Sequence, residues 1–261
     1  MKVQQFVEWL NALAPFESAE GFDNVGLLMG DAAADVHTIV IGMDITDALA
    51  DEAIAAGAEL IIAHHPFIFH ALKRIDYTGP QGRTLCRLAE KRISVIAAHT
   101  NWDKAPGGVG DSLAAALELR DVISADDYVR VGMLPSPMSC AELAQHVQTA
   151  LCFPPRCYPA SDEPITRVAV AGGAYGEGYM AALAAGAQAY VIGEVSHHEI
   201  IDATARGLTL YDAGHYATEM PGVAALYKRL TADAKEAGWP VEVHLHHLHT
   251  QAPYPGAFLA L

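Results

Sequence analysis

The sequence predicts an α/β protein built from two related halves, each a mixed but mainly parallel sheet covered by helices. Three observations carry this prediction. Short apolar runs alternate with alanine-rich stretches of helical character, the pattern of strand–helix–strand units. The runs are apolar throughout rather than at every second residue, as in strands buried on both faces. The pattern of the first part of the chain returns after Thr166.

The elements follow in order. "MKVQQFVEWLNALAP" sets Val3, Phe6, Val7, Leu10 and Leu13 at helical spacing and contains Glu8, which reads as an amphipathic helix stopped at Pro15, not as a signal peptide. "TIVIGM" (38–43) is a strand. "DALADEAIAAG" (47–57) is a helix closed by Gly57 as a left-handed cap. "ELIIA" is the next strand, "GRTLCRLAEKR" a helix and "ISVIAA" (93–98) a strand. "VRVGMLPSPMSC" carries two prolines and leads to a capping box, Ser139 with Glu142, that opens the helix "AELAQHVQTAL". This segment marks a candidate boundary, giving halves 1–125 and 126–261, with the last part from about residue 205 packing back on the first half.

The repeat then appears. "ALAAGAQAYVIGE" (182–194) lies over "AIAAGAELIIAHH" (53–65), matching Ala182, Ala184, Ala185, Gly186 and Ala187 to Ala53, Ala55, Ala56, Gly57 and Ala58. The first half goes on to a strand ending "AAHTNWD" (97–103), the second to "LTLYD" followed by "AGHYATE" (213–219). Both read small-small-His-x-x-x-carboxylate.

Composition narrows the function. Hydrophobic residues make up 52% and charged residues 18%, so the chain is globular rather than disordered. No apolar run approaches about 18 residues, which argues against a membrane span. The net charge of −15 and the lack of a basic patch argue against nucleic acid as a partner. Cys86, Cys140, Cys152 and Cys157 form no C-x-x-C pair and read as reduced thiols of a cytoplasmic protein. Histidine is the unusual count, at 13, and the histidines are clustered.

Ligands of open α/β sheets bind beyond the carboxyl ends of strands. His64 and His65 follow one strand, His99 and Asp103 another, His215 and Glu219 a third. The His-x-x-x-carboxylate spacing sets both side chains on one side of a single tight or helical turn, and Pro106 and Pro221 warn against long helices there. Imidazole and carboxylate without thiolate suit divalent zinc, iron, manganese, cobalt or nickel. Six candidates, two of them carboxylates able to bridge, suit a pair of ions roughly 3.5–4 Å apart, which lowers the pKa of a water and clamps attacking and leaving oxygens. That is hydrolytic chemistry. Neighbouring residues of a strand diverge, so His64 and His65 are expected to reach different ions.

At this point a resemblance can be stated. "GFDNVGLLMGD" (21–31), "IIAHHPFIF", "AAHTNWD", "GEVSHHEIIDA" (193–203) and "AGHYATE", together and in order, resemble the YbgI/Nif-three-like family, whose members carry the description GTP cyclohydrolase I type 2 homologue. The resemblance implies two interlinked α/β domains, a ring-shaped homohexamer and two divalent ions per subunit in a cleft at the strand ends. It implies His64, His65, Asp103, His215 and Glu219 as metal ligands, Glu219 bridging, and His99 as a further ligand or a support behind them. It implies Asp23 and Asn24, otherwise a simple turn before Gly26, as part of a cleft loop.

Other residues fall around this set. Ser196 and Glu199 form a second capping box that puts His197 and His198 in the first turn of a helix, lining the cleft or simply exposed. His99 and His198 are candidates to assist a metal-activated water. Trp102 stacks on a base, seals the cleft or packs in the core, packing being the default. "AGGAYGEG" (171–178) follows a strand but lacks the G-x-G-x-x-G order of a dinucleotide loop. His244, His246, His247 and His249 alternate near the C-terminus, suiting an edge strand or oligomer contact better than a second metal site. The functional expectation is a metal-dependent hydrolase acting on a small molecule, a nucleotide or a phosphoester among the candidates. The alternative is a non-catalytic metal-binding scaffold or regulatory partner protein.

Overall fold

The computed structural model describes residues 1–246. By its internal packing the chain forms two compact units. The first comprises residues 1–11, 22–99 and the chain from Arg229 onward; the second comprises 12–21 and 100–228. The sequence reading divided the chain at 125/126 with a return from about 205; the compact units divide at 99/100 and 228/229. Among the described residues, no helix is long and apolar enough to cross a membrane.

The first unit holds α1 (Val3–Leu13), β1 (Gly26–Met29), β2 (Thr38–Gly42), α2 (Asp47–Ala55), β3 (Leu60–Ala63), α3 (Pro80–Glu90) and β4 (Ser94–Ala97). A last strand, β11 (Glu242–Leu245), completes a five-stranded sheet of order β1-β4-β3-β2-β11. β11, β2, β3 and β4 run parallel, and β1 is antiparallel to β4. Every residue of β3 and β4 is buried, as continuous apolar runs require. α1 ends at Leu13, before Pro15, and buries Val3, Phe6 and Leu10. Phe6 meets Trp239 edge-on at 5.8 Å, and the Trp9 indole donates to Asp233 at 2.8 Å, which ties α1 to the returning chain.

Among the described residues, β11 is an edge strand bonded to β2 alone within its sheet. His244 lies on it, 3.3 Å from Glu242. His246 has passed the strand end and is buried with its Nδ1 against the Glu52 carboxylate of α2. His247 and His249 lie outside the described residues.

The second unit holds α4 (Thr100–Lys104), α5 (Val109–Ala116), β5 (Arg120–Ser124), β6 (Arg130–Met138), α6 (Cys140–Leu151), β7 (Arg156–Tyr158), β8 (Ile165–Val170), α7 (Tyr179–Ala184), β9 (Ala189–Ile192), α8 (His197–Ala205) and β10 (Thr209–Asp212). α9 (His215–Ala237) begins here and passes into the first unit after Lys228. The sheet order is β5-β6-β8-β9-β10-β7, with β8, β9 and β10 parallel and the outer pairings antiparallel. Alternate residues feed two cores: Val168, Val170 and Val191 pack with Leu113, Leu143 and Val147, while Ala169, Tyr190 and Ile192 pack with Val131, Ala203 and Leu208. Helices therefore cover both faces.

Two readings from proline change. Of "VRVGMLPSPMSC", Arg130–Met138 form one strand, β6, and Pro135 and Pro137 fall where its register to β8 shifts between Met133 and Met138. Proline is tolerated there because an irregular stretch asks for fewer backbone donors. Pro106 does end α4 early, but α9 runs 23 residues straight through Pro221. Buried Ala217, Val223, Leu226, Leu230 and Ala234 form the stripe that holds α9 together across the lost bond.

The repeat is structural. β2-α2-β3-α3-β4 and β8-α7-β9-α8-β10 share order and parallel pairing. Gly57 and Gly186 both adopt left-handed backbone, with φ of 67° and 75°. Glu59 accepts from the N–H groups of His37 and Thr38 at 3.0 and 2.9 Å. Its repeat partner Gln188 accepts from Thr166 and Arg167 at 2.8 and 3.1 Å. One acceptor oxygen thus clamps the start of the neighbouring parallel strand in each half.

Candidate metal centre

The motif residues emerge where strands stop. β3 ends at Ala63, yet the ladder to β2 continues one step further: His64 N–H donates to Gly42 O and His65 N–H to Met43 O, both at 3.0 Å. This holds the two imidazoles at a fixed place beyond the sheet. His99 follows β4 directly. The three rings form a triangle, with centroids 5.0 Å apart for His64–His65 and 5.4 Å for each pair with His99. His64 is 1% exposed, while His65 and His99 are half-buried.

Each ring is oriented through Nδ1. His64 Nδ1 lies 2.8 Å from the Ala98 carbonyl, His65 Nδ1 2.7 Å from Asp44 Oδ1, and His99 Nδ1 2.9 Å from Asp23 Oδ1. A carbonyl oxygen only accepts, so Nδ1 of His64 carries the proton and Nε2 the lone pair. The carboxylates set the same tautomer in the other two. A metal-ligating histidine is held in just this way, with its remote N–H on a carboxylate or carbonyl.

The two His-x-x-x-carboxylate pairs stand at helix starts. His99 and Asp103 bracket the single turn of α4, and His215 and Glu219 sit on the first turns of α9. His215 Nδ1 lies 3.0 Å from Glu194 Oε1, and its Nε2 lies 3.1 Å from Glu219 Oε1. An imidazole with carboxylate oxygens at both nitrogens calls for positive charge between them, from a second proton or from a metal ion. Burial pushes the nearby Asp212 carboxyl above its ordinary range; Gly214 N–H and Arg156 offset this only in part, and Glu194 adds to it. The Glu194 and Glu219 oxygens at the two nitrogens of His215 make its place receptive to a cation.

His64 and His65 in the first unit and Glu219 in the second each offer one ligand atom suited to a metal ion. The donor set of two imidazoles and a carboxylate fits a divalent ion of the zinc, iron or manganese type.

The remaining candidates are placed as follows. The Asp23 side chain is fully buried against His99, and Asn24 Nδ2 donates to Ile68 O. His197 and His198 are exposed, at the start of α8, where the N–H and hydroxyl of Ser196 both donate to Glu199 at 2.7 and 2.6 Å. His198 Nδ1 lies 2.9 Å from the Ser196 hydroxyl. Trp102 does not line a cleft. It is 2% exposed, and its indole N–H donates to Gly222 O at 3.0 Å, so its ring is packed in the core. Asp44 and Glu194 are additions that no motif marked. Both stand just past strand ends, β2 and β9, the rule that located the histidines. In the repeat alignment Glu194 falls at the position of His65.

Comparison with known proteins comes last. The family described as Duf34/NIF3 (NGG1p interacting factor 3) matches residues 1–252. A Streptomyces coelicolor protein named GTP cyclohydrolase 1 type 2 homolog is 30% identical over 258 residues, 94% of this chain and 90% of its own. A Nostoc protein of the same name is 39% identical over 203 residues, 74% of this chain and 76% of its own. The solved structure of protein ybgI matches with a TM-score of 0.85 at 29% identity, covering 94% of this chain and 98% of that one.

Proposed function

This chain belongs to the Duf34/NIF3 family, and from that premise we propose that it is a divalent-metal protein that uses its metal in hydrolysis. The observation that carries the reading is the shared orientation of four motif histidines. His64, His65, His99 and His215 each have Nδ1 on a carbonyl or carboxylate oxygen.

In this reading His64, His65, Asp103, His215 and Glu219 would be the residues that hold divalent metal. His99, backed by the buried Asp23, supports them. A divalent ion there supplies Lewis acidity and a water of lowered pKa. The protein's own share is to fix the imidazoles through their Nδ1 bonds and to set carboxylates beside them. The names of the relatives suggest a cyclohydrolase-type substrate, and a phosphoester suits the same chemistry. The protein assembles as a homohexamer in the cytoplasm; the four cysteines, all free thiols, agree with a reducing compartment.

The family description names an interacting factor, which favours a second reading: a metal-holding scaffold for a partner protein. One experiment separates the two. Purified protein is analysed for metal and screened, loaded and metal-free, against nucleotides and phosphoesters, with Glu219→Gln as control. Hydrolysis that needs metal and disappears in Glu219→Gln supports the enzyme. Bound metal with no turnover of any class supports the scaffold, and a protein that takes up no metal removes both.

A further inference from the structure

We propose that Gly173 is a positioning residue for Glu219, and that the AGGAYGEG loop is built around that carboxylate rather than around a nucleotide. The inference rests on the metal reading above and gives a role to a motif that reading leaves unused.

The loop leaves β8 and reaches the first turns of α9. Gly173 has φ of 63°. A Cβ on Gly173 would sit 2.3 Å from Glu219 Oε1 and 3.2 Å from His215 Nε2. A Cβ on Gly172 would come within 3.2 Å of Glu219 Cγ. The missing side chains are the space in which the carboxylate lies.

The backbone is fixed around that space. Gly173 N–H donates to Thr218 Oγ1 at 3.1 Å, and Gly173 O accepts from Glu194 N–H at 2.9 Å. Glu194 in turn holds His215 Nδ1 at 3.0 Å. Loop, strand end and helix start are thus one bonded unit about the His215–Glu219 pair. Gly193 closes it from behind: a Cβ there would lie 2.5 Å from Gly173 O, which is backbone and has nowhere to go.

Gly173 differs from Gly193 in what a methyl would strike. At Gly173 the obstructed atom is the far end of a side chain, so the carboxylate moves and the fold does not. The effect of the methyl falls on metal affinity. Left-handed strain is a separate effect, and the same unit contains its control. Gly186 has φ of 75° with no atom within 4 Å of an added Cβ.

The test uses the full chain as wild type, Gly173→Ala, Gly186→Ala, Glu219→Asp and the Gly173→Ala/Glu219→Asp double variant. Each metal-free protein is titrated with Co²⁺, followed by its visible absorption, and melted in parallel. Both alanine variants are expected to lose similar thermal stability through the shared strain. Gly173→Ala alone should weaken Co²⁺ binding, by about 10–100-fold, the range seen when a ligand loses its support, and change the spectrum. In the Glu219→Asp background the shorter carboxylate withdraws, so adding Gly173→Ala should cost much less affinity. Wild-type Co²⁺ affinity and spectrum in Gly173→Ala overturn the proposal. So does failure of Gly173→Ala to fold in both backgrounds, since the strain would then lie in the backbone. A wild-type chain that takes up no Co²⁺ overturns the metal reading itself, a result distinct from either.

Discussion

At the scale of single residues, the motif histidines share a bond from Nδ1 to an oxygen, as His246 also has to Glu52. His146 bonds the Leu117 carbonyl through Nε2 instead, and it serves packing. Trp102 makes the complementary point. Its position inside H-x-x-x-D suggested a role at the site, but burial and the bond to Gly222 give it to the core. Trp102→Phe should therefore destabilise the protein by about 1–3 kcal/mol, the cost of leaving a buried carbonyl without its donor. Metal content should stay at the wild-type level. Urea denaturation and metal analysis on the same sample check both halves. His65→Ala should do the reverse, lowering bound metal while shifting the urea midpoint far less once both proteins are compared with chelator present.

At the scale of elements, the repeat uses one clamp in two chemical forms. Burial pushes the Glu59 carboxyl up, but the N–H groups of His37 and Thr38 outweigh it and hold it below its ordinary value of 4.5. A carboxylate whose folded pKa is depressed adds stability that is fully present above the ordinary value. That stability is lost as the pH falls through the folded value. Gln188 makes the same bonds without a charge and has no such dependence. Glu59→Gln should accordingly stay folded at neutral pH and lose less stability than wild type on acidification below 4.5. Denaturant midpoints at neutral and acid pH measure it, and an unchanged acid loss would remove Glu59 as a source. The caps act on the same scale. Ser139→Ala removes an oxygen that accepts from Glu142 N–H at 3.3 Å and should cost about 1 kcal/mol.

At the scale of the whole molecule, the metal proposed for the site would link folding to metal binding. A ligand that binds only the folded chain stabilises it by about 2.7 kcal/mol at a hundredfold excess over its Kd. Chelation should therefore lower the melting temperature, re-addition of metal should restore it, and Glu219→Gln should show little difference between the two states. Calorimetry with and without chelator reads this directly. The proposed homohexamer is checked by light scattering on a sizing column, where a mass of six chains is the expected value.

Much of this was legible in the sequence. Alternation named the strands and helices, the capping boxes at Ser139 and Ser196 fixed two helix starts, and Gly57 and Gly186 marked left-handed helix ends. The histidines stood out because polar residues directly after apolar runs are seldom needed for packing. These are local features, and local periodicity and turn chemistry encode them in a few neighbouring residues. Tertiary structure decided the rest. It paired β11 with β2, gave residues 12–21 to the second unit, carried α9 through Pro221, and buried Trp102 and His246. It also recruited Asp23, Asp44 and Glu194 behind the imidazoles and set Gly173 against Glu219. Each of these joins residues far apart in the chain. Which distant partner wins depends on burial and hydrogen bonding summed over the whole fold, and no short stretch of sequence contains that sum.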